Sequence, residues 1–408
     1  MYYLLCTHFL SAENLTKHFS VIQCFITSAF LLYNDSALKK ATFYLFSQLF
    51  LQIRMPFFPR YGMIDSILYK GDYIMKRPFT QLEKKQLLIF TLIAFGIPYL
   101  MGIPMAFGYQ RGTSLDLFAN AQMYYPAAGA IVVFLLTKTE FPMPRRFFYG
   151  YLVLTVLFAI SSVLSVLIPD ANLWVMVINM LTIAGNLALW VLFLLDKREV
   201  RFIWGLTWSG PDSRKHFLYV LLFFMLFVGN ILVSCLIEGT AASFLGLLNA
   251  PLFWLSLASL FVSFFLVFSA FFGEEYGWRY FLQPILQEHF GMRKGVLILG
   301  IFWGLWHLPL NLFYYAPETR LQSIAAQLIT CIALSIFFAF AYMKTDNLWI
   351  PVLLHFMNNN IAGLFSGGSI SGNVIEWKAV LIHLLLYGIF FCPFLASKVF
   401  RESETEKK

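Results

Sequence analysis

The chain has 408 residues, of which 60% are hydrophobic and only 12% are charged. This hydrophobic fraction lies well above the share of about half that soluble domains carry, so a soluble globular protein is excluded. The formal net charge is +8, but the Lys and Arg residues are scattered among the loops between apolar runs and form no basic stripe. We therefore interpret the charge as a signal of membrane topology and predict no nucleic-acid partner.

Residues 1–74 differ from the rest of the chain. Their apolar runs are too short to cross a membrane and are interrupted by Lys39, Lys40 and Arg54. The first residues also lack the basic charge with which a signal peptide begins. Since the basic pair after Met75 directly precedes the first long apolar run, we interpret 1–74 as an N-terminal extension that adds little and Met75 as an alternative start.

From residue 87 onward, ten apolar runs are long enough to cross the hydrocarbon core, which takes about 20 helical residues. The predicted spans are 87–107, 117–136, 147–168, 173–195, 217–237, 251–272, 295–315, 321–343, 348–365 and 379–396. The second is the weakest, because it is short, contains Pro126 and follows Asp116. The predicted fold class is all-α, a polytopic transmembrane helical bundle of about ten spans.

Lys and Arg are concentrated in every second loop, as the positive-inside rule requires of cytoplasmic loops. The loop after the fourth span holds five of these residues between 197 and 215, whereas 169–172 and 238–250 hold none. Both termini are therefore predicted to be cytoplasmic, in a multi-pass protein of the cell membrane.

Glu274, Glu275 and Arg279 come directly after the predicted end of the sixth span. Ionisable groups inside spans cost several kcal/mol each, so each is a functional-site hypothesis. On a helix Glu275 and Arg279 face each other four residues apart, while Glu274 points about 100° away and keeps a carboxylate available as a general base. The alternative is a salt-bridged helix end at the interface, with Arg279 reaching the lipid headgroups.

Two further polar groups lie in the seventh and ninth spans. Trp303 and His307 are four residues apart, so the indole can wall one side of the imidazole. Pro309 frees a backbone carbonyl that a nearby polar group or water must satisfy, which indicates a wet pocket. His355 and Asn359 share one helix face. The alternatives are a neutral His307 bonded to a carbonyl, and interhelical hydrogen bonding by the ninth span.

The helix that carries the glutamates is predicted to extend beyond the sixth span. The stretch from Tyr276 to Leu286 remains largely apolar, and a helix continuing toward Pro284 moves the membrane boundary outward. Glu274 then lies about 15 Å deep, at a depth similar to that of His307 and His355. The pair is predicted to be buried in the cytoplasmic half of the bilayer, in a water-filled pocket reached from the cytoplasm.

Three motifs in this order resemble the CPBP family, which includes the CAAX prenyl endopeptidases and the bacterial Abi proteins. They are Glu274-Glu275-x-x-x-Arg279, Trp303-x-x-x-His307 and His355-x-x-x-Asn359. The resemblance covers roughly residues 250–365. One departure is that the family has Phe where this chain has Trp303, so an aromatic wall is preserved.

The resemblance implies a catalytic set made of Glu274, Glu275, Arg279, His307, His355 and Asn359. In it Glu274 activates the attacking water, Glu275 and Arg279 support the site, and the other three hold the water and stabilise the oxyanion. The family is described as a metalloprotease, and a metal-free glutamate mechanism has also been proposed for it. If a divalent metal such as zinc is present, its implied ligands are Glu274, His307 and His355, a set that suits zinc with an open position.

We accordingly divide the chain into the extension 1–74, N-terminal transmembrane helices at 75–245, a CPBP-like catalytic core at 246–370, and the last transmembrane helix with a charged cytoplasmic tail at 371–408. The predicted function is an intramembrane endopeptidase whose partners are membrane lipid and a peptide or protein substrate. The alternatives are a non-catalytic bacteriocin self-immunity or scaffold protein, and a transporter or proton relay. The sequence leaves the substrate and the oligomeric state open.

Overall fold

The structure is a computed structural model that describes residues 78–138, 140–208, 213–365 and 371–401. These residues form helices and the loops between them, and no β-strand occurs among them. The all-α prediction is thereby confirmed. The predicted extension 1–74 lies outside the described residues, as does the charged tail from residue 402 onward.

Ten long helices follow one another along the described chain. They are α1 (Gln81–Gln110), α2 (Asp116–Thr137), α3 (Arg145–Leu167), α4 (Ala171–Leu195), α5 (Ser213–Ile237), α6 (Pro251–Phe290), α7 (Met292–Tyr315), α8 (Arg320–Thr345), α9 (Trp349–Phe365) and α10 (Trp377–Ala396). Short helices at Arg198–Ile203 and Ala241–Leu248 lie in the loops after α4 and α5.

Nine of the helices in the described part of the chain are long and apolar enough to cross a membrane. The remaining one, α9, has 17 residues and coincides with the predicted ninth span. The predicted polytopic bundle is confirmed, and the cytoplasmic location of the termini stays a prediction.

Helix α6 is 40 residues long, which confirms that the helix carrying the glutamates continues past Pro284. Glu274 and Glu275 end its first part, and a π-helical stretch, Tyr276–Leu282, follows at once. Such stretches add a residue to the helical turn and frequently lie at functional sites. Pro284 is the second residue after the π stretch, so the N–H that a proline lacks is missing at the junction of the π and α parts of the helix.

Two glycines allow α2 to approach the glutamate pair closely. A Cβ atom at Gly273 would collide with the carbonyl oxygen of Met123 and the hydroxyl of Tyr151. A Cβ atom at Gly277 would lie 2.6 Å from the carbonyl carbon of Pro126. The sequence Gly-Glu-Glu-Tyr-Gly therefore places both carboxylates at a close crossing of two helices.

Helix α7 is broken at His307, where its first part, Met292–Trp306, ends. Pro309 has no N–H to donate to the carbonyl of Leu305, four residues earlier. The Tyr99 hydroxyl of α1 donates to that oxygen instead, at 2.9 Å. This agrees with the expectation that the proline frees a carbonyl for a neighbouring polar group.

Five helices surround the candidate site. Helix α7 packs along α8, α6 packs against α9, and α2 lies against α6. Glu274, Glu275, Arg279 and His355 face this site, and each is at most 3% exposed. The polar residues of the three motifs are thus gathered within the largest hydrophobic core.

Candidate active site

Glu275 and Arg279 form a buried ion pair along α6. The Nε–Oε2 distance is 3.1 Å, and Arg279 Nη1 donates to Glu275 Oε1 at 3.4 Å. The guanidinium carbon lies 4.5 Å from the ring centroid of Trp303 and 5.2 Å from that of Phe338. A buried charge needs such a partner and such cover. The predicted pair is present, and because Arg279 is 0% exposed its side chain does not reach the headgroups.

Glu275 also fixes the orientation of His355. Nδ1 of His355 lies 2.8 Å from Glu275 Oε1. Since a carboxylate paired with arginine is an acceptor, Nδ1 carries a hydrogen, and in the neutral imidazole Nε2 is then the nitrogen with the lone pair. The ring is enclosed by Phe271, at 5.4 Å between centroids, and by Trp303, at 5.3 Å. His355 therefore directs one defined ring nitrogen, Nε2, toward the site.

That nitrogen faces Glu274. His355 Nε2 lies 3.9 Å from Glu274 Oε1, while the Trp303 indole N–H donates to Glu274 Oε2 at 2.6 Å. A separation of 3.9 Å is too long for a direct hydrogen bond and suits a bridging water. The indole holds Oε2 of Glu274, and Oε1 faces His355.

His307 is connected to this group through Trp303. Its Nδ1 donates to the Trp303 carbonyl oxygen at 2.8 Å, so Nε2 is the acceptor nitrogen. Trp306 packs edge-on against its ring, with centroids 4.7 Å apart. This hydrogen bond to a carbonyl agrees with the alternative interpretation of the sequence, in which His307 is neutral and bonded to a carbonyl.

Asn359 lies one turn after His355 on α9 and is half-buried. Its Oδ1 accepts from Asn358 Nδ2 at 2.8 Å, and Asn360 Nδ2 donates to the Phe356 carbonyl at 2.9 Å. These asparagine bonds stay within α9, whereas the interhelical hydrogen bond of α9 considered above is made by His355 to Glu275. The NH2 group of Asn359 is left as a donor.

A second hydrogen-bond network holds α6 one turn before Glu274. Asn186 Oδ1 accepts from the Ser269 N–H at 2.9 Å, and the hydroxyls of Tyr124 and Ser269 lie 2.8 Å apart. Tyr151 donates to the Ser269 carbonyl at 3.0 Å. These residues were not predicted from the sequence, although polar side chains in apolar spans are a signal of such bonding.

Trp303 was expected only as an aromatic wall. The bond from its indole to Glu274 could have been suspected, because a buried indole N–H needs an acceptor. The sequence did not show which of several polar groups would accept it.

The predicted metal ligands do not converge as they stand. Trp303 occupies one oxygen of Glu274 and Glu275 occupies one nitrogen of His355, which leaves two donor atoms 3.9 Å apart. Neighbouring donors of a tetrahedral zinc ion lie about 3.4 Å apart. Within the described residues, the group whose three ligand atoms lie within 4.8 Å of one another is Glu83, Glu288 and His289, not the predicted set with His307. The three predicted ligand atoms are thus not gathered as a zinc ion would need in this arrangement, and the metal site stays a prediction.

Residues 253–361 match a family model described as Type II CAAX prenyl endopeptidase Rce1-like. The CAAX prenyl protease 2 of Methanococcus maripaludis is 32% identical over 106 residues, which are 24% of this chain and 38% of that protein. The matched stretch thus spans well under half of that relative. No solved structure matches the chain. All six predicted site residues, from Glu274 to Asn359, lie inside the matched segment.

Proposed function

We propose that this protein is an intramembrane endopeptidase. The premise is that residues 253–361 belong to the Rce1-like family of CAAX prenyl endopeptidases. The protein hydrolyses a peptide bond of a membrane-associated protein or peptide with a water molecule that Glu274 activates. The observation that carries the proposal is the 3.9 Å gap between Glu274 Oε1 and His355 Nε2. Trp303 holds the other carboxylate oxygen of Glu274, and Glu275 holds the other ring nitrogen of His355.

A water molecule in this gap can lie about 2.8 Å from both atoms. Glu274 Oε1 and His355 Nε2 both accept, so the water donates one hydrogen to each. Its lone pairs then point away from the two side chains, toward an incoming carbonyl carbon. Trp303 and Glu275 hold the two acceptors in place from the opposite sides, which is the preorganisation that hydrolysis requires.

The water oxygen attacks the carbonyl carbon as its proton passes to Glu274 Oε1. The C–N bond of the tetrahedral intermediate then breaks, and Glu274 returns the proton to the leaving amine. The NH2 group of Asn359 is suited to stabilise the charge on the former carbonyl oxygen. His307 Nε2, an acceptor in the tautomer set by Trp303, is suited to hold the water or an amide N–H of the substrate.

The name of the Methanococcus relative provides the first substrate to test, a prenylated peptide that ends in a CAAX sequence. The same peptide without the prenyl group and a library of membrane-associated peptides form the second and third probes. Purified protein in lipid vesicles is incubated with each probe, and new peptide ends are identified by mass spectrometry.

The deciding variant is Glu274→Gln, which keeps the shape of the side chain and removes the base. We expect cleavage to fall at least about 100-fold. Glu376→Gln is the matched control, because Glu376 is exposed and precedes α10, and it should cleave like the wild type. Equal cleavage by the Glu274 variant, or no cleavage of any probe by the wild type, would contradict the proposal.

A further inference from the structure

Trp303 contacts four of the five ionisable residues of the candidate site, namely Glu274, Arg279, His307 and His355. Its indole N–H donates to Glu274, and its ring lies under the guanidinium of Arg279. The ring is also in edge contact with the His355 ring, with an interplanar angle of 73°. The backbone carbonyl of Trp303 accepts from His307. The side chain is 2% exposed. One rigid group therefore touches both walls of the gap between Glu274 and His355.

The acceptor of this indole is unusual within the protein. Three other buried indoles among the described residues donate to backbone carbonyls, Trp204 to Pro142, Trp306 to Ala94 and Trp349 to Leu206, at 2.7 to 2.8 Å, and the buried indole N–H of Trp278 has no hydrogen-bond partner. Trp303 donates to a carboxylate, at 2.6 Å. Hydrogen bonds to an ionised acceptor are shorter and roughly twice as strong as neutral ones.

The bond restricts what Glu274 can do. With Oε2 held by the indole, rotation of the carboxylate about its last bond would break a buried hydrogen bond. Oε1 is then the oxygen left to face His355 Nε2. The same indole ring limits movement of His355 from the side, because the two rings are in edge contact.

We propose that Trp303 is a positioning residue that selects Glu274 Oε1 as the proton acceptor and keeps it opposite His355. This rests on the proposed endopeptidase function. Without the indole N–H the carboxylate rotates, and the water loses its fixed place between the two acceptors. The chemical step then slows, while the binding of the peptide is unchanged because Trp303 acts through Glu274.

The sharpest variant replaces Trp303 alone with benzothienylalanine, introduced by amber suppression, since sulfur takes the place of the N–H and the volume is kept. Trp303→Phe is the second variant. With the prenylated CAAX peptide, or another probe that the wild type cleaves, we expect kcat to fall about 10- to 100-fold, the range of one hydrogen bond to a charged group. KM should stay within about twofold.

Trp204→Phe is the matched control, because it removes an equally buried indole donor that lies on none of the helices carrying the site. Thermal unfolding is measured for every variant. A role in packing alone predicts that the benzothienylalanine protein keeps its kcat, and that result would overturn the proposal.

A double-mutant cycle tests the route through Glu274. Glu274→Asp keeps a carboxylate but withdraws it from the indole, so in that background Trp303→Phe should reduce kcat less than about threefold. An equal loss in both backgrounds would overturn the positioning role. If Glu274→Gln abolishes cleavage while the benzothienylalanine protein retains full kcat, this inference fails and the endopeptidase stands. If Glu274→Gln cleaves normally, both fail.

Discussion

His355 uses its two ring nitrogens for two different purposes. Nδ1 is bonded to Glu275 at 2.8 Å, and Nε2 faces Glu274 across 3.9 Å. The first contact fixes the tautomer and the second presents the lone pair to the water site. The two purposes can be separated, because Asn reproduces the position of Nδ1 and Gln reproduces that of Nε2.

His355→Asn should remain folded and lose at least about 100-fold in cleavage, since it keeps a donor to Glu275 and has no atom at Nε2. His355→Gln should also unfold more easily, by about 1–3 kcal/mol, because Glu275 loses a buried donor. Cleavage assays and thermal unfolding in detergent measure both effects. His383→Asn is the control, since His383 bonds to Thr330 away from the site. Unimpaired cleavage by the Asn variant would contradict the role of Nε2.

The metal ligands stay a prediction that metal removal can test. Since the ligand atoms of Glu274, His307 and His355 do not lie within 4.8 Å of one another, we expect cleavage to survive dialysis against a chelator, with no stoichiometric zinc found by elemental analysis. Loss of cleavage on chelation, restored by zinc, would instead support the three-ligand site with His307.

For individual residues, contacts within one helix could be predicted from the sequence, whereas contacts between two helices could not. Glu275 and Arg279 are four residues apart on one helix, so helical geometry alone brought them together. The bond between Trp303 and Glu274 joins two helices, and the rotation of each helix decides it. That rotation depends on Gly273, Gly277 and their neighbours on α2, which no periodicity reveals.

At the scale of elements, α6 depends on close contact with α2 on both sides of the glutamate pair. Its apolar run predicted a span ending at residue 272, and only the apolar residues after Arg279 indicated the longer helix that the structure has. The π stretches of α6 and α7 were not predicted, because one additional residue in a turn leaves the apolar pattern almost unchanged.

Gly273→Ala should lower the free energy of unfolding by about 1–3 kcal/mol, because its Cβ would meet the Met123 carbonyl and the Tyr151 hydroxyl. Cleavage should fall as well, since Glu274 follows directly. Gly388→Ala is the matched control. No atom lies within 4 Å of a Cβ there, so this helical substitution should be neutral or stabilising by up to about 1 kcal/mol. Thermal unfolding that ranks the two variants in the opposite order would contradict the close crossing.

For the whole molecule, composition and apolar run length were sufficient to predict the bundle, since lipid admits few other architectures for such a chain. The ten spans predicted from the sequence are an even number, so both termini are predicted to lie on one side, and the basic loops predict that this is the cytoplasmic side. The pocket around Glu274 is then predicted to open toward the cytoplasm.

Cysteine labelling in intact cells tests this orientation. In a chain whose own cysteines have been replaced, Lys197→Cys should be protected from a membrane-impermeant maleimide, and Glu238→Cys should be labelled. Both residues are exposed in loops at opposite ends of α5. The reverse labelling pattern would place the termini and the pocket on the outer side.

The ion pair of α6 also bears on how the protein is made. Because Glu275 and Arg279 belong to the same helix, they can neutralise each other as soon as α6 leaves the ribosome, before α7 and α9 have been synthesised. Single charges at the centre of an inserting helix cost about 2.5–3.5 kcal/mol each. The translocon therefore receives a segment with one unpaired carboxylate, that of Glu274, and the partners of that carboxylate arrive only with the later helices.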